Sequence, residues 1–156
     1  MVDQPSMPKT DLGVLYWPNL IAALIASVGL VIGSIGPWVS FFAMSRGGMD
    51  ADGTLTLILG ILAAAALFAV LNVGLLGSGK ATLMMWLSVA AAVAGLLGAI
   101  ITVVDIIDIT SRTAEFFGET MSTDVGWGLW LALISSAVLA VTACIVAVQA
   151  GKVPPR

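Results

Sequence analysis

A chain of 156 residues, 60% hydrophobic and only 10% charged, is too apolar for one soluble core, because a soluble fold needs polar residues to cover its surface; a second apolar solvent, lipid, is implied. The net charge of −3, from six basic and nine acidic residues, excludes a basic nucleic-acid-binding face. The absence of histidine and the single cysteine, Cys144, exclude His-ligated metals and haem, Ser-His or Cys-His catalysis, an internal disulfide and a thiolate cluster.

Residues 1–13 are polar, carry Pro5 and Pro8, and read as a disordered tail. The apolar run that follows is too long for the hydrophobic region of a cleavable signal peptide and lacks a convincing small-residue cleavage site. It is expected to remain as the first of four spans. Within a membrane domain over 14–150, helices are predicted at about 18–44, 54–77, 82–107 and 125–149. None of the four central stretches holds Asp, Glu, Lys or Arg, and none alternates as a barrel strand does. The predicted fold class is an all-α membrane protein, a four-transmembrane-helix bundle. The interval from Trp17 to Gly29 recurs between Trp86 and Gly98, which suggests two tandem helical hairpins, although apolar composition alone produces such likeness.

In the first helix, Trp17 and Trp38 are 21 residues apart, roughly 31 Å on a helix and close to the hydrocarbon thickness. Trp86, Trp127 and Trp130 fall at other predicted helix ends. All five are expected in an interfacial belt, where an aromatic ring with a polar edge is favoured. Pro37 lacks an amide donor and crowds the preceding turn, so a kink or helix end is expected there.

Lipid gives helices no hydrophobic reason to associate, so close approach at small residues has to hold them together. The candidate packing positions are Gly29 and Gly33 in the first helix and Gly60 and Ala64 in the second. Gly95 and Gly98 serve in the third, and Ala132 and Ser136 in the fourth.

The connections carry the remaining candidates. Asp50, Asp52 and Gly53 resemble a fragment of a calcium loop, but the chain leads straight into a membrane helix and no distal Glu follows, so an ordinary turn is expected. Gly74 to Ala81 nearly spells a phosphate loop, yet the hydroxyl after Lys80 is replaced by Ala81 and no strand precedes it; a tight turn is expected. The segment 105–124 is acidic. Asp108 and Arg112 stand four apart and could form an exposed pair contributing ~0.3–0.5 kcal/mol. The adjacent Phe116 and Phe117, with Met121, form the candidate partner surface, with packing back onto the bundle as the other reading. The tail 151–156 is basic and contains Pro154 and Pro155.

Lys9, Lys80, Lys152 and Arg156 fall on one side of four spans and Arg46 and Arg112 on the other. That split predicts both termini in the cytoplasm. No ionisable residue lies within the central spans to carry protons or ions.

Gly36-Pro37-Trp38, the loop ending Asp52-Gly53, the helix start Thr54-Leu-Thr-Leu-Ile-Leu-Gly60 and the stretch Val125-Gly-Trp-Gly-Leu-Trp-Leu-Ala132 resemble small four-helix integral membrane proteins of actinobacteria, including mycobacteria. The resemblance implies a bacterial plasma-membrane protein. Some proteins of that kind are accessory subunits of respiratory supercomplexes or lipid importers. Small multidrug transporters are a poor match for want of a membrane Glu in the first helix, and claudin-like proteins and quinone-linked thiol oxidases for want of cysteine pairs. The functional expectation is a non-catalytic accessory or scaffold subunit without cofactor or metal, in contact with the bilayer and with membrane-protein partners. The alternative is a self-associating carrier or channel for a small or lipidic substrate.

Overall fold

The computed structural model describes residues 12–41, 44–50, 52–75, 81–111, 113–116, 119–122 and 124–152. The chain is an all-α four-helix bundle: α1 (Leu12–Ile35), α2 (Gly53–Leu75), α3 (Ala81–Ser111) and α4 (Trp127–Gly151). Each is long and apolar enough to cross a membrane. The 23 residues of α2 extend about 35 Å, enough for a hydrocarbon layer of about 30 Å. The chain is a multi-pass membrane protein.

The helices run up, down, up, down. Each packs against its two neighbours around a ring, and the α3–α4 and α1–α4 seams are the most extensive. The α1–α4 register makes the direction plain. Gly29 meets Ser135, Gly33 meets Ala132 and Gly36 meets Gly128, so α1 ascends as α4 descends. The start of α1 and the end of α4 therefore lie at one end of the bundle, the terminal end. Between the helices a core of Leu20, Leu30, Leu67, Val70, Leu139 and Val146 is fully buried.

The other end is capped. Strands β1 (Pro37–Phe41), β2 (Met44–Gly47) and β5 (Asp124–Val125) form an antiparallel sheet in the order β2-β1-β5. Val39 pairs with Arg46 on one side and with Val125 on the other. A 3₁₀ turn, Gly48–Asp50, leads from β2 toward α2. A separate hairpin, β3 (Thr113–Phe116) with β4 (Glu119–Ser122), stands between α3 and α4.

Three boundaries differ from the sequence reading. The first helix was expected to reach residue 44, but it stops at Ile35 and residues 37–41 become a strand. Pro37 supplies no amide to continue the helix, and the residue before a proline is pushed out of the helical region. α1 also starts by Leu12 and holds Pro18 inside it. The third helix runs past 107 to Ser111 because Asp105, Asp108 and Thr110 do not stop it. Thr110 turns its hydroxyl back onto the carbonyl of Ile106 at 2.8 Å, inside the helix. Residues 1–11 of the expected N-terminal tail, and 153–156 of the C-terminal one, lie outside the described residues.

Candidate functional site at the capped end

The chemistry of the capped end begins with a missing donor. In an α-helix the carbonyl of Gly33 would accept from the amide of residue 37, which is proline. The indole Nε1–H of Trp38 donates to that carbonyl instead, at 2.9 Å. Trp38 is folded into the end of the bundle and only 1% exposed. Gly48 lies directly against it: a Cβ there would run into the indole and the carbonyl of Ser34. Gly53 in turn abuts the backbone of Gly48. The amide of Gly48 donates to the carbonyl of Gly36 at 3.0 Å, and that of Gly126 to the carbonyl of Trp38 at 2.8 Å. Trp38 is thus the plug around which both connections at this end are wound.

The belt position expected for Trp38 is corrected accordingly. Its ring is buried at the end of the bundle, with the N–H turned inward to the carbonyl of Gly33. Trp17, Trp86, Trp127 and Trp130 are exposed on helices α1, α3 and α4. Tyr16 stacks edge-on against Trp17 with ring centroids 6.0 Å apart.

Below the plug, Ser34 and Thr56 join α1 to α2. Their hydroxyl oxygens are 2.8 Å apart and both residues are fully buried. Ser34 Oγ also lies 2.7 Å from the carbonyl of Leu30, and Thr56 Oγ1 lies 3.0 Å from that of Gly53. Two hydroxyl protons thus serve three contacts. Four other buried hydroxyls point back along their own helices: Ser27 to Leu24, Ser88 to Met84, Thr102 to Gly98 and Ser136 to Leu133. Such bonds satisfy the hydroxyl without opening a polar path between helices.

The small residues named from sequence fall on three seams. On α1–α4, a Cβ on Gly33 would lie 2.6 Å from the amide nitrogen of Ala132, and one on Gly29 would meet Ser135 Oγ. On α3–α4, a Cβ on Gly95 would lie 2.7 Å from the amide nitrogen of Ala140, while Gly98 faces Ser136. On α1–α2, Gly60 faces Val31. Ala132 and Ser136 are fully buried, whereas Ala64 is half-buried. Gly36, Gly126 and Gly128 were not singled out from sequence, yet a Cβ on Gly128 would come within 2.7 Å of the Gly36 carbonyl carbon. Their signal was the run Val125-Gly-Trp-Gly opening α4, with glycines on alternate positions at a helix start.

Of the candidate partner surface, Phe117 and the side chains of Phe116 and Met121 lie outside the described residues, as does Arg112. The backbone of β3 and β4 pairs Ala114 with Met121 and Phe116 with Glu119. The near-phosphate loop joins α2 to α3, with residues 76–80 outside the described set. Cys144 is a free, exposed thiol on α4.

Searched against known protein families and against curated proteins, the chain matches none significantly.

Asp105, near the capped end of α3, has a buried carboxylate oxygen without a hydrogen-bond partner, and the charges of Asp52 and Asp108 both act on it. Among the described residues no three of His, Cys, Asp and Glu are grouped to hold a metal ion. At the terminal end, Tyr16 Oη and Gln149 Oε1 are likewise buried without a partner.

Proposed function

We propose that the chain is a non-catalytic accessory or scaffold subunit of a larger complex, seated in a bacterial plasma membrane with both termini in the cytoplasm. The observation that carries the reading is how the bundle's interior is filled. Backbone meets backbone at Gly33–Ala132, Gly36–Gly128 and Gly95–Ala140, so adjacent helices leave no room between them at these levels. Ser27, Ser88, Thr102 and Ser136 spend their buried hydroxyls on main-chain carbonyls of their own helices, and only Ser34 and Thr56, among the described hydrogen bonds, join two helices. A translocation path needs groups that a passing solute can touch, and an ion or proton path needs ionisable ones. What the chain presents outward is apolar helix surface, such as Ile25, Phe68, Leu96, Ile134 and Val141. A small bundle with a closed interior and apolar flanks is suited to packing on other membrane helices. The cytoplasmic placement of the termini rests on the four-to-two distribution of Lys and Arg.

Purification from native membranes in a mild detergent, followed by mass spectrometry, tests the proposal. Fixed, stoichiometric membrane partners are expected. Recovery of the chain with itself alone, together with solute flux in proteoliposomes, would favour the carrier reading instead. A tag on each terminus should be protected together in sealed right-side-out vesicles.

A further inference from the structure

Each helix shows an exposed stripe in alternating steps of three and four residues; among the described residues that of α1 is apolar from Trp17 to Ile35, that of α3 from Leu83 to Ile107 and that of α4 from Trp127 to Val148. The stripe of α2 differs in carrying an amide. Ile58, Ala65 and Asn72 recur at seven-residue intervals, interleaved with Ile61, Phe68 and Leu75, and all six are exposed. Asn72 places a carboxamide on that face, one turn from the end of the helix. Its Nδ2 donates to the carbonyl of Phe68 at 2.7 Å, within α2. A carboxamide has two donor hydrogens and an acceptor oxygen, so this bond leaves one N–H and the oxygen to be satisfied from outside the helix. α2 is also the least enclosed of the four helices.

We propose that this face of α2 docks on α2 of a second copy of the chain, with Asn72 of each copy bonded to Asn72 of the other. Copies inserted with the same topology present α2 in parallel, and a two-fold axis along the membrane normal brings each residue on the face opposite itself. An amide is its own complement, since the donor of one meets the acceptor of the other. Apolar residues spaced alternately three and four apart form the seam of a left-handed helix pair, and one Asn in such a seam fixes register and partner number. Ala65 lies midway along the seam and lets the two backbones approach. In lipid, amide bonds across helices favour association. The contact is independent of the accessory reading and leaves the outer faces of α1, α3 and α4 free for other partners.

The test uses the full chain, with Cys144→Ala to clear the native thiol, in phosphatidylethanolamine–phosphatidylglycerol vesicles. Single cysteines at Ala65 and Phe68 should cross-link between copies, while cysteines at Ile25 on α1 and Ala137 on α4 should not. Energy transfer between labelled copies should show Asn72→Leu raising the dimer dissociation constant about tenfold. Asn72→Gln should keep most of the association, and unchanged helical circular dichroism should show that neither variant unfolds. Equal cross-linking from all four positions, or a dissociation constant indifferent to Asn72→Leu, would overturn the proposal; the amide would then be serving the bilayer edge. Cross-linking of α2 to a different protein in native membranes, without self-cross-linking, would overturn it as well.

Discussion

The indole N–H of Trp38 takes the place of the amide that Pro37 lacks, donating to Gly33 across 2.9 Å. Proline ends the helix, and the next residue repairs the carbonyl that the proline orphaned. The two substitutions are therefore coupled. Trp38→Phe keeps most of the ring and loses the donor, leaving a buried carbonyl unsatisfied at a cost of about 1–3 kcal/mol. In the Pro37→Ala background an amide is again available, and the same change should cost measurably less. Reversible unfolding in mixed micelles gives all four corners of the cycle. Equal losses with and without Pro37 would show that the indole serves only as filler.

Glycines on the seams should differ sharply from glycines elsewhere. Gly33→Ala drives a methyl into the backbone of Ala132, which cannot move as a side-chain tip can; destabilisation of about 1–3 kcal/mol is expected. Among the described residues, Gly74 faces only the Cε of Met84, 3.5 Å away. Gly74→Ala should be neutral or stabilise α2 by about 0.5–1 kcal/mol. Thermal unfolding in one detergent, compared between the two variants, is the measurement.

The Ser34–Thr56 contact links helices that otherwise pack less extensively than α1 with α4. Ser34→Ala and Thr56→Val should each cost little alone, because the partner hydroxyl can turn to its own carbonyl. Their coupling is expected near 0.6 kcal/mol, the average for such bonds in a membrane bundle. A double-mutant cycle that returns zero would mean that each hydroxyl acts only within its helix.

Fluorescence should separate Trp38 from the other four tryptophans. In single-tryptophan variants, Trp17, Trp86, Trp127 and Trp130 should be quenched by brominated lipid. Trp38 should resist both brominated lipid and aqueous acrylamide, since its ring is sealed by Gly48 and the end of α1. Strong quenching of Trp38 by acrylamide would contradict the capped end.

The four helices were legible because the signal is blunt: long stretches without a formal charge have no other solvent to go to. Pro37 was legible as a kink or a helix end for an equally local reason, although the first helix was expected to reach residue 44. What lay beyond it was not. Residues 37–41 are apolar enough to extend a helix, and nothing in Pro-Trp-Val-Ser-Phe announces pairing with Val125, far along the chain. Trp38 was read as a belt residue because sequence gives its depth and says nothing of which way it faces. Glycine spacing marked Gly29, Gly33, Gly95 and Gly98 as places of close approach, but which helix approaches each one is a matter of bundle order. Ser135, not Ser136, meets Gly29, and the difference is one step of helical phase.

The pairing of β1 with β5 also bears on how the protein is made. Val125 and Gly126 leave the ribosome after three of the four helices, so Trp38 waits through most of synthesis with one side of its strand open. Closure of the cap then reports that the segment leading into the last span has arrived. A chain truncated before residue 124 should show rapid amide exchange at Ser40, whose N–H lies on the β5 side of the strand, and slow exchange should return once Asp124 and Val125 are present; the cap would act as a latch closed by the segment that precedes the last span.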